Sequence, residues 1–225
     1  MKLNIKYLDN NICFDKGLVN CIELENKGYF YRIVNDFNNI SIGNICDDMY
    51  FSDNLCKEIN MENKIRMIYD YFNLDFNDKR VLNNLYKFVD SNVSDSDRLE
   101  FNKYYSKICK FYKKSIDNIN VDLEINEDFN IDIISKLVNV RVKKCDSVLE
   151  NLFCLIDLES MFNLDKLLVF VNLKLYLDKD ELIELYKYSL YNNVNIILID
   201  SVSYGVKLDY ESKLIIDNNL DEINL

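Results

Sequence analysis

An acidic segment from residue 122 to residue 132 contains the residues of this sequence that are best suited to binding a cation. Oxygen-bearing side chains occur there at every second position, namely Asp122, Glu124, Asn126, Asp128, Asn130 and Asp132. In an extended chain, a period of two places all of these side chains on one side. Carboxylate and amide oxygens are the ligands that calcium prefers, and Glu127 adds another carboxylate. The segment therefore predicts a calcium site, although a solvated acidic loop would have the same pattern.

Basic residues form three clusters that could face the phosphates of a nucleic acid. The clusters are Lys136, Arg141, Lys143 and Lys144; Lys57, Lys64 and Arg66; and Lys79 and Arg80. Each of these side chains could equally be an ordinary surface residue. The formal net charge of −11 argues, taken alone, against nucleic-acid binding. Nothing in the clusters indicates recognition of bases, so any DNA binding would be independent of sequence.

Several kinds of site are excluded by residues that the chain lacks. There is no histidine, so Ser-His, Cys-His and histidine–metal sites are absent. The acidic segment is not an EF-hand, because Glu127 stands where that loop requires glycine and Ile133 where it requires glutamate. A phosphate-binding loop is also missing, since the one glycine after the predicted strand at 18–22, Gly28, follows two acids.

The residues alone leave two other functions open. Asp15, followed by Glu25 and Lys27, loosely imitates the carboxylate–carboxylate–lysine site of a metal-dependent nuclease. Acid-x-Lys triplets are common in this chain, however, and Glu211-Ser212-Lys213 is another. The other hypothesis is an acidic scaffold that binds only proteins, which the net charge favours.

The stretch from Leu167 to Asp200 predicts two buried strands joined by a helix. The apolar runs 167–171 and 194–199 are nearly continuous, which is typical of strands covered on both faces in a parallel sheet. Between them, Asp178 can cap a helix, with Glu181 completing the capping box. Ligands of parallel sheets bind at the carboxyl ends of the strands. Because both predicted strands end in polar residues, we expect any site to lie at that edge.

The rest of the chain divides into strands and helices. Alternating residues near the N-terminus predict strands, a short helix is predicted over 29–37, and the isoleucines at 40, 42 and 45 suggest another strand. From about residue 60 the period becomes helical, and Ile65, Ile68, Tyr69 and Phe72 form the first stripe. The predicted fold is α/β, with a parallel-sheet head that resembles a degenerate nucleotide-binding fold and an inserted α-helical extension. The head comprises residues 1–59 and 164–225, and the helical leg comprises 60–163.

Composition indicates an ordinary globular protein of the cytoplasm. Apolar residues make up 49% and charged residues 29% of the 225 positions. The chain has seven cysteines, an odd number without a Cys-x-x-Cys motif, and no recognisable signal peptide. We therefore expect reduced thiols, a cytoplasmic location and no membrane span.

The C-terminal stretch also carries a family resemblance. Its pattern is an apolar strand ending in Asn, a Tyr-Leu pair, a charged helix with two tyrosines, then Asn-Val and a second strand. The residues that follow it are Asn172, Tyr176, Leu177, Lys179, Glu181, Glu184, Leu185, Tyr186, Tyr188, Asn193 and Val194. Upstream matches lie at 74–77, 81–86 and 1–9. The chain resembles, over nearly its whole length, the ring-forming adaptation protein of type II-A CRISPR systems.

The resemblance implies a function that composition does not. It implies a homotetrameric ring that encircles double-stranded DNA at free ends, without catalysis, during the acquisition of new CRISPR spacers. Other adaptation proteins and the effector nuclease of the system would be partners. Calcium would bind near the subunit interfaces at an acidic segment that matches Val121-Asp122-Leu123-Glu124, and lysines would line the inside of the ring.

Overall fold

The structure is a computed structural model that describes residues 1–9, 11–14, 17–117, 119–127, 132–162 and 166–225, without the side chains of 132 and 133. The strands are β1 (Lys2–Ile5), β2 (Ile12–Cys13), β3 (Val19–Leu24), β4 (Met49–Ser52), β5 (Glu58–Ile59), β6 (Ile65–Ile68), β7 (Leu167–Val171), β8 (Ile196–Asp200), β9 (Glu211–Ile216) and β10 (Glu222–Asn224). The α-helices are α1 (Lys27–Ser41), α2 (Lys79–Ser91), α3 (Asp95–Ile116), α4 (Asp132–Leu137), α5 (Val148–Met161) and α6 (Lys179–Tyr191).

The chain forms two compact units. The first consists of Met1–Leu74 and Lys144–Leu225, and the second of Asp75–Lys143. The division therefore falls nearer the middle of the chain than the predicted limits of the helical leg at 60 and 163. The reason is that β6 pairs with β7 and α5 packs against α6. β6 and α5 therefore belong to the first unit.

The first unit is built on a six-stranded sheet with the order β10-β9-β3-β8-β7-β6. All neighbours in it are parallel except β10 and β9, which are antiparallel. A second, antiparallel sheet has the order β2-β1-β4-β5. The predicted α/β class with a parallel sheet is confirmed.

The predicted strand–helix–strand unit is present as β7, α6 and β8. Every residue of both strands is buried, as their apolar runs predicted. The capping box of α6 is formed, because Asp178 accepts from the Glu181 backbone N–H and Glu181 accepts from that of Asp178, both at 2.9 Å. Local sequence signals therefore determine this part of the fold.

The main core lies on one face of β3, beneath α1. Ile22 and Leu24 of β3 pack there with Ile33 and Phe37 of α1. Strand residues alternate in direction, so Cys21 and Glu23 must lie on the opposite face of the sheet. The structure thus separates an apolar face of β3 from a face that carries a buried carboxylate.

Two segments differ from the sequence-based predictions. Ile65–Ile68, predicted as part of a helical stripe, forms strand β6, since parallel pairing with β7 satisfies its backbone and buries Ile65 and Ile68. The isoleucines at 40, 42 and 45 do not form a strand, because α1 continues to Ser41 and an irregular segment follows. Tertiary pairing outweighs local periodicity in the first case.

The second unit contains α2, α3 and α4. Asp78 caps α2 and Ser94 caps α3, so a short turn separates these two helices. The Asn77 side chain forms two hydrogen bonds with the backbone of Val142, at 2.8 and 3.0 Å, and so joins the two ends of this unit.

In the part of the chain that the structure describes, no helix has both the length and the apolar character needed to cross a membrane.

Candidate functional site

The turn between β3 and α1 lies where a nucleotide-binding sheet would hold phosphate. β3 ends at Leu24 and α1 begins at Lys27, which leaves only Glu25 and Asn26 between them. The Asn26 side chain accepts from the Tyr29 backbone N–H at 3.0 Å and caps the helix. A turn this short cannot wrap around a phosphate group, and its acid would repel one. The geometry agrees with the absence of a phosphate-binding loop in the sequence.

The described part of the acidic segment runs beside α3 within the second unit. Residues 122–127 have no regular secondary structure, and Asp122 and Glu124 are exposed. The Tyr105 hydroxyl of α3 donates to the backbone oxygen of Asn126 at 2.9 Å, and Lys113 forms an ion pair with Glu127. The segment is therefore attached to α3 at its C-terminal end, while Asp122 and Glu124 face solvent.

The predicted calcium ligands are only partly within the described residues. Asp128 and Asn130 lie outside them, as does the side chain of Asp132. Across the described ranges, no group of three cysteine or acidic side chains is arranged to hold a metal ion. Glu127 is paired with Lys113, which leaves Asp122 and Glu124 as the described carboxylates most available to a cation. Calcium binding remains a prediction.

The basic residues of the second unit are exposed. Lys79 and Arg80 occupy the first turn of α2, and Lys136 the last turn of α4. Arg141 donates to the side chain of Asn139 at 2.7 Å, and Lys143 follows in an irregular segment. Cations in the first turn of a helix are unfavourable with respect to the helix dipole. A nearby anion would offset this unfavourable interaction at Lys79 and Arg80.

The basic candidates of the first unit have more varied surroundings. Lys57 and Lys64 are exposed. Arg66 is largely covered and forms an ion pair with the buried Glu159 of α5 at 3.6 Å, and Lys144 donates to the backbone oxygen of Phe72. Arg66 and Lys144 therefore have structural roles, and Lys57 and Lys64 are the more available to an outside anion.

A buried cluster of charged side chains, which the sequence analysis missed, lies beside β3 in the first unit. We call Glu23, Lys174, Glu211, Lys213 and Asp200 the ion cluster; all are at most 8% exposed. The Lys174 amine lies 2.9 Å from Glu23 and 2.5 Å from Glu211. The Lys213 amine lies 2.8 Å from Glu23 and 3.9 Å from Glu211. Two lysines thus alternate with two glutamates in a closed ring of ion pairs.

The pairing fixes the charge states of this ring. Burial raises the pKa of the Glu23 carboxyl, but hydrogen bonds from Lys213 and Lys174 outweigh burial and lower it below its ordinary value. Burial likewise lowers the pKa of the Lys174 amine, but Cys21 and Glu211 outweigh it and raise that pKa. Both groups are therefore charged at neutral pH, and each depends on its partner.

The cluster was missed because its members are distant in sequence. Glu23 and Glu211 are separated by almost the whole chain, and each looks like a surface acid in isolation. One local signal was available: Glu23 lies within the run 18–24, where its neighbours are apolar, and Lys213 directly precedes Leu214-Ile215-Ile216. A charge within a fully buried strand requires a buried partner.

The fold and the site define a protein with a parallel α/β sheet, no phosphate-binding loop and an exposed acidic segment on a helical unit. A family model described as "CRISPR-associated protein (Cas_Csn2)" matches residues 45–220. Because this match spans most of the chain, the protein belongs to that family, whose members act in type II-A CRISPR adaptation.

A solved structure supports the fold. The crystal structure of Stu0660 of Streptococcus thermophilus is similar with a TM-score of 0.65 and 14% identity. The similarity covers 100% of this chain and 76% of that one. At this level of identity, the comparison establishes the shared fold.

Proposed function

We propose that this protein binds the ends of double-stranded DNA without sequence preference during the acquisition of CRISPR spacers. It acts as a homotetrameric ring that is stabilised by calcium, and it performs no catalysis. The observation that carries the proposal is the family match over residues 45–220, which includes the acidic segment and all the basic clusters. Its other partners are the remaining adaptation proteins and the effector nuclease, and its location is cytoplasmic.

The distribution of exposed charge supports a DNA-binding role for the second unit. Lys79, Arg80, Lys136 and Lys143 are exposed there, and none has an ion-pair partner among the described residues. In a chain with an excess of acid, lysines left without acidic partners are available for phosphate. A ring that turns such residues inward would present cations to a duplex while its outer surface stays acidic.

The same excess of acid gives calcium a structural role. Four copies of a chain with a net charge of −11 would carry −44, which opposes assembly. A cation bound at Asp122 and Glu124 would neutralise part of this charge where subunits meet. Calcium suits such a position because it accepts oxygen ligands from flexible segments.

The β3–α1 turn has no room for a nucleotide phosphate, which argues against ATP hydrolysis at this position. A nuclease site at Asp15, Glu25 and Lys27 has weaker support than the proposed binding function. Asp15 lies outside the described residues, and the Glu25 side chain accepts a hydrogen bond from Asn218 at 3.4 Å.

Binding to linear and closed circular DNA tests the proposal. We expect blunt-ended linear duplex to bind in calcium, and closed circular duplex of equal length to bind much more weakly, because a ring must thread over an end. A chelator should abolish the binding. Equal affinity for both forms would indicate ordinary surface binding. Shortened linear DNA would indicate a nuclease, and no binding to either form would favour the acidic scaffold.

Neutralising the basic residues of the second unit should weaken DNA binding by removing cations that pair with phosphate. For Lys136→Gln combined with Lys143→Gln, we expect the slope of log affinity against log salt to fall by about one for each phosphate that is no longer neutralised. The weakening should be the same for unrelated DNA sequences. Lys179→Gln, at an exposed lysine of the first unit outside the candidate clusters, is the matched control. An unchanged slope in the double variant would exclude both lysines from the interface.

A further inference from the structure

The connection between β8 and β9 crosses the face of the large sheet. Both strands are parallel to β3, which lies between them. Asp200, at the end of β8, is level with Glu23, whereas Glu211, at the start of β9, is level with Val19. Residues Ser201–Tyr210, which we call the strap, must therefore run back across β3. Such parallel crossovers usually contain a helix, but the strap has no helix or strand.

The strap is held by charged groups instead of by apolar packing. No residue of the strap is buried. Its ends are fixed by a hydrogen bond from the Ser201 N–H to the Asn172 side chain and one from the Val19 N–H to the Tyr210 carbonyl, both at 2.8 Å.

The middle of the strap depends on three members of the ion cluster. Glu23 accepts from the Tyr204 backbone N–H at 3.0 Å and from the Ser203 hydroxyl at 3.2 Å. Glu211 accepts from the Leu208 backbone N–H at 2.9 Å, and Lys213 donates to the Val206 carbonyl at 2.7 Å. Every second residue from 204 to 208 is thus attached to a buried charged side chain. A change in the charge of the cluster would act directly on the strap.

Asp200 is the residue that unbalances this cluster. It is 1% exposed and lies directly before the strap, where it accepts from the Lys174 backbone N–H at 3.4 Å. Its ionisation would place a third carboxylate beside Lys174, which already pairs with Glu23 and Glu211. The titratable and charged groups that interact with it are Lys174, Cys21, Glu23, Glu211, Tyr71, Tyr186 and Tyr204.

We propose that the strap is a pH-sensitive element, held closed while Asp200 is protonated and loosened from the ion cluster when Asp200 ionises. Opening the strap admits water to Asp200, which stabilises its charge without a new partner. Opening of the strap requires no bound ligand, and it is independent of the proposed DNA-binding function.

The electrostatics place the upper end of this transition near neutral pH. Burial raises the pKa of the Asp200 carboxyl to about 7, although Lys174 opposes the shift. Burial also raises the pKa of Cys21, Tyr71, Tyr186 and Tyr204, so these groups remain neutral at pH 6–8. The closed state binds the proton more tightly than the open state. Closure is therefore most favoured at low pH, becomes less favourable as the pH rises from the ordinary carboxyl pKa of about 4 to about 7, and changes little above that.

Amide hydrogen exchange on the full-length protein tests the proposal. After correction for the intrinsic exchange rate, we expect protection of the Tyr204 and Leu208 amides to fall about tenfold from pH 6 to pH 8. In Asp200→Asn, which keeps the shape but cannot ionise, protection should stay constant. The amides of β7 serve as the internal control, because neither state of the strap exposes them.

Two results would overturn the proposal. One is wild-type protection that does not change between the two pH values, and the other is the same change in Asp200→Asn. A direct NMR titration of the Asp200 carboxyl carbon in the wild-type protein gives an independent measurement that needs no variant. A midpoint near the ordinary value of about 4 would also contradict it.

Discussion

Replacing Lys174 with methionine is expected to destabilise the protein by about 3–5 kcal/mol. The side chain of Lys174 is 3% exposed, and its amine is shared between Glu23 and Glu211. Methionine fills a similar volume but leaves two buried carboxylates with Lys213 as their remaining cation. Removing one partner from a buried ion pair costs more than the pair contributes, because the other charge stays desolvated. Urea unfolding, followed by circular dichroism, measures the destabilisation.

Two control variants separate charge from packing. Lys179→Met removes an exposed lysine near the start of α6 and should leave the free energy of unfolding almost unchanged. Combining Lys174→Met with Glu211→Gln restores the charge balance, and we expect it to recover more than half of the lost stability. If the double variant were as unstable as the sum of the two single variants, the ring of ion pairs would not be the cause.

Removing two carboxylates of the acidic segment is expected to abolish tetramer formation and, with it, to weaken DNA binding strongly. The variant combines Asp122→Asn with Glu124→Gln, since these side chains are exposed and have no ion-pair partner among the described residues. In the proposed ring, the variant would lose the carboxylate ligands through which calcium holds the subunits together, and a single subunit would offer only a fraction of the cations that pair with phosphate. Because binding by linked subunits acts jointly, we expect affinity to fall on the order of a hundredfold.

Light scattering and binding to linear duplex, each with calcium and with chelator, measure these two effects. Glu58→Gln combined with Glu62→Gln removes the same number of exposed acids from the first unit and should change neither property. A variant of Asp122 and Glu124 that binds linear DNA as a tetramer would contradict the mechanism. Binding by the wild-type protein that survives chelation would contradict it as well.

The sequence determined the elements whose signals are local. The strands β7 and β8 were predicted from continuous apolar runs, and α6 from the spacing of Asp178 and Glu181. The caps of α2 and α3 are local signals of the same kind, because Asp78 and Ser94 directly precede the helices that they cap. Such patterns are informative because backbone preference, capping and alternation act over a few residues.

Only the tertiary structure decided the features whose partners are distant in the chain. Ile65–Ile68 has a spacing that suits a helix, yet pairing with Leu167–Phe170 makes it a strand. Glu23 and Glu211 become a buried site only when Lys174 and Lys213 are brought between them. The physical reason is that strand pairing and charge burial depend on which surfaces meet. Neighbours in sequence can show that a residue is buried, but they do not identify the distant residue that becomes its partner.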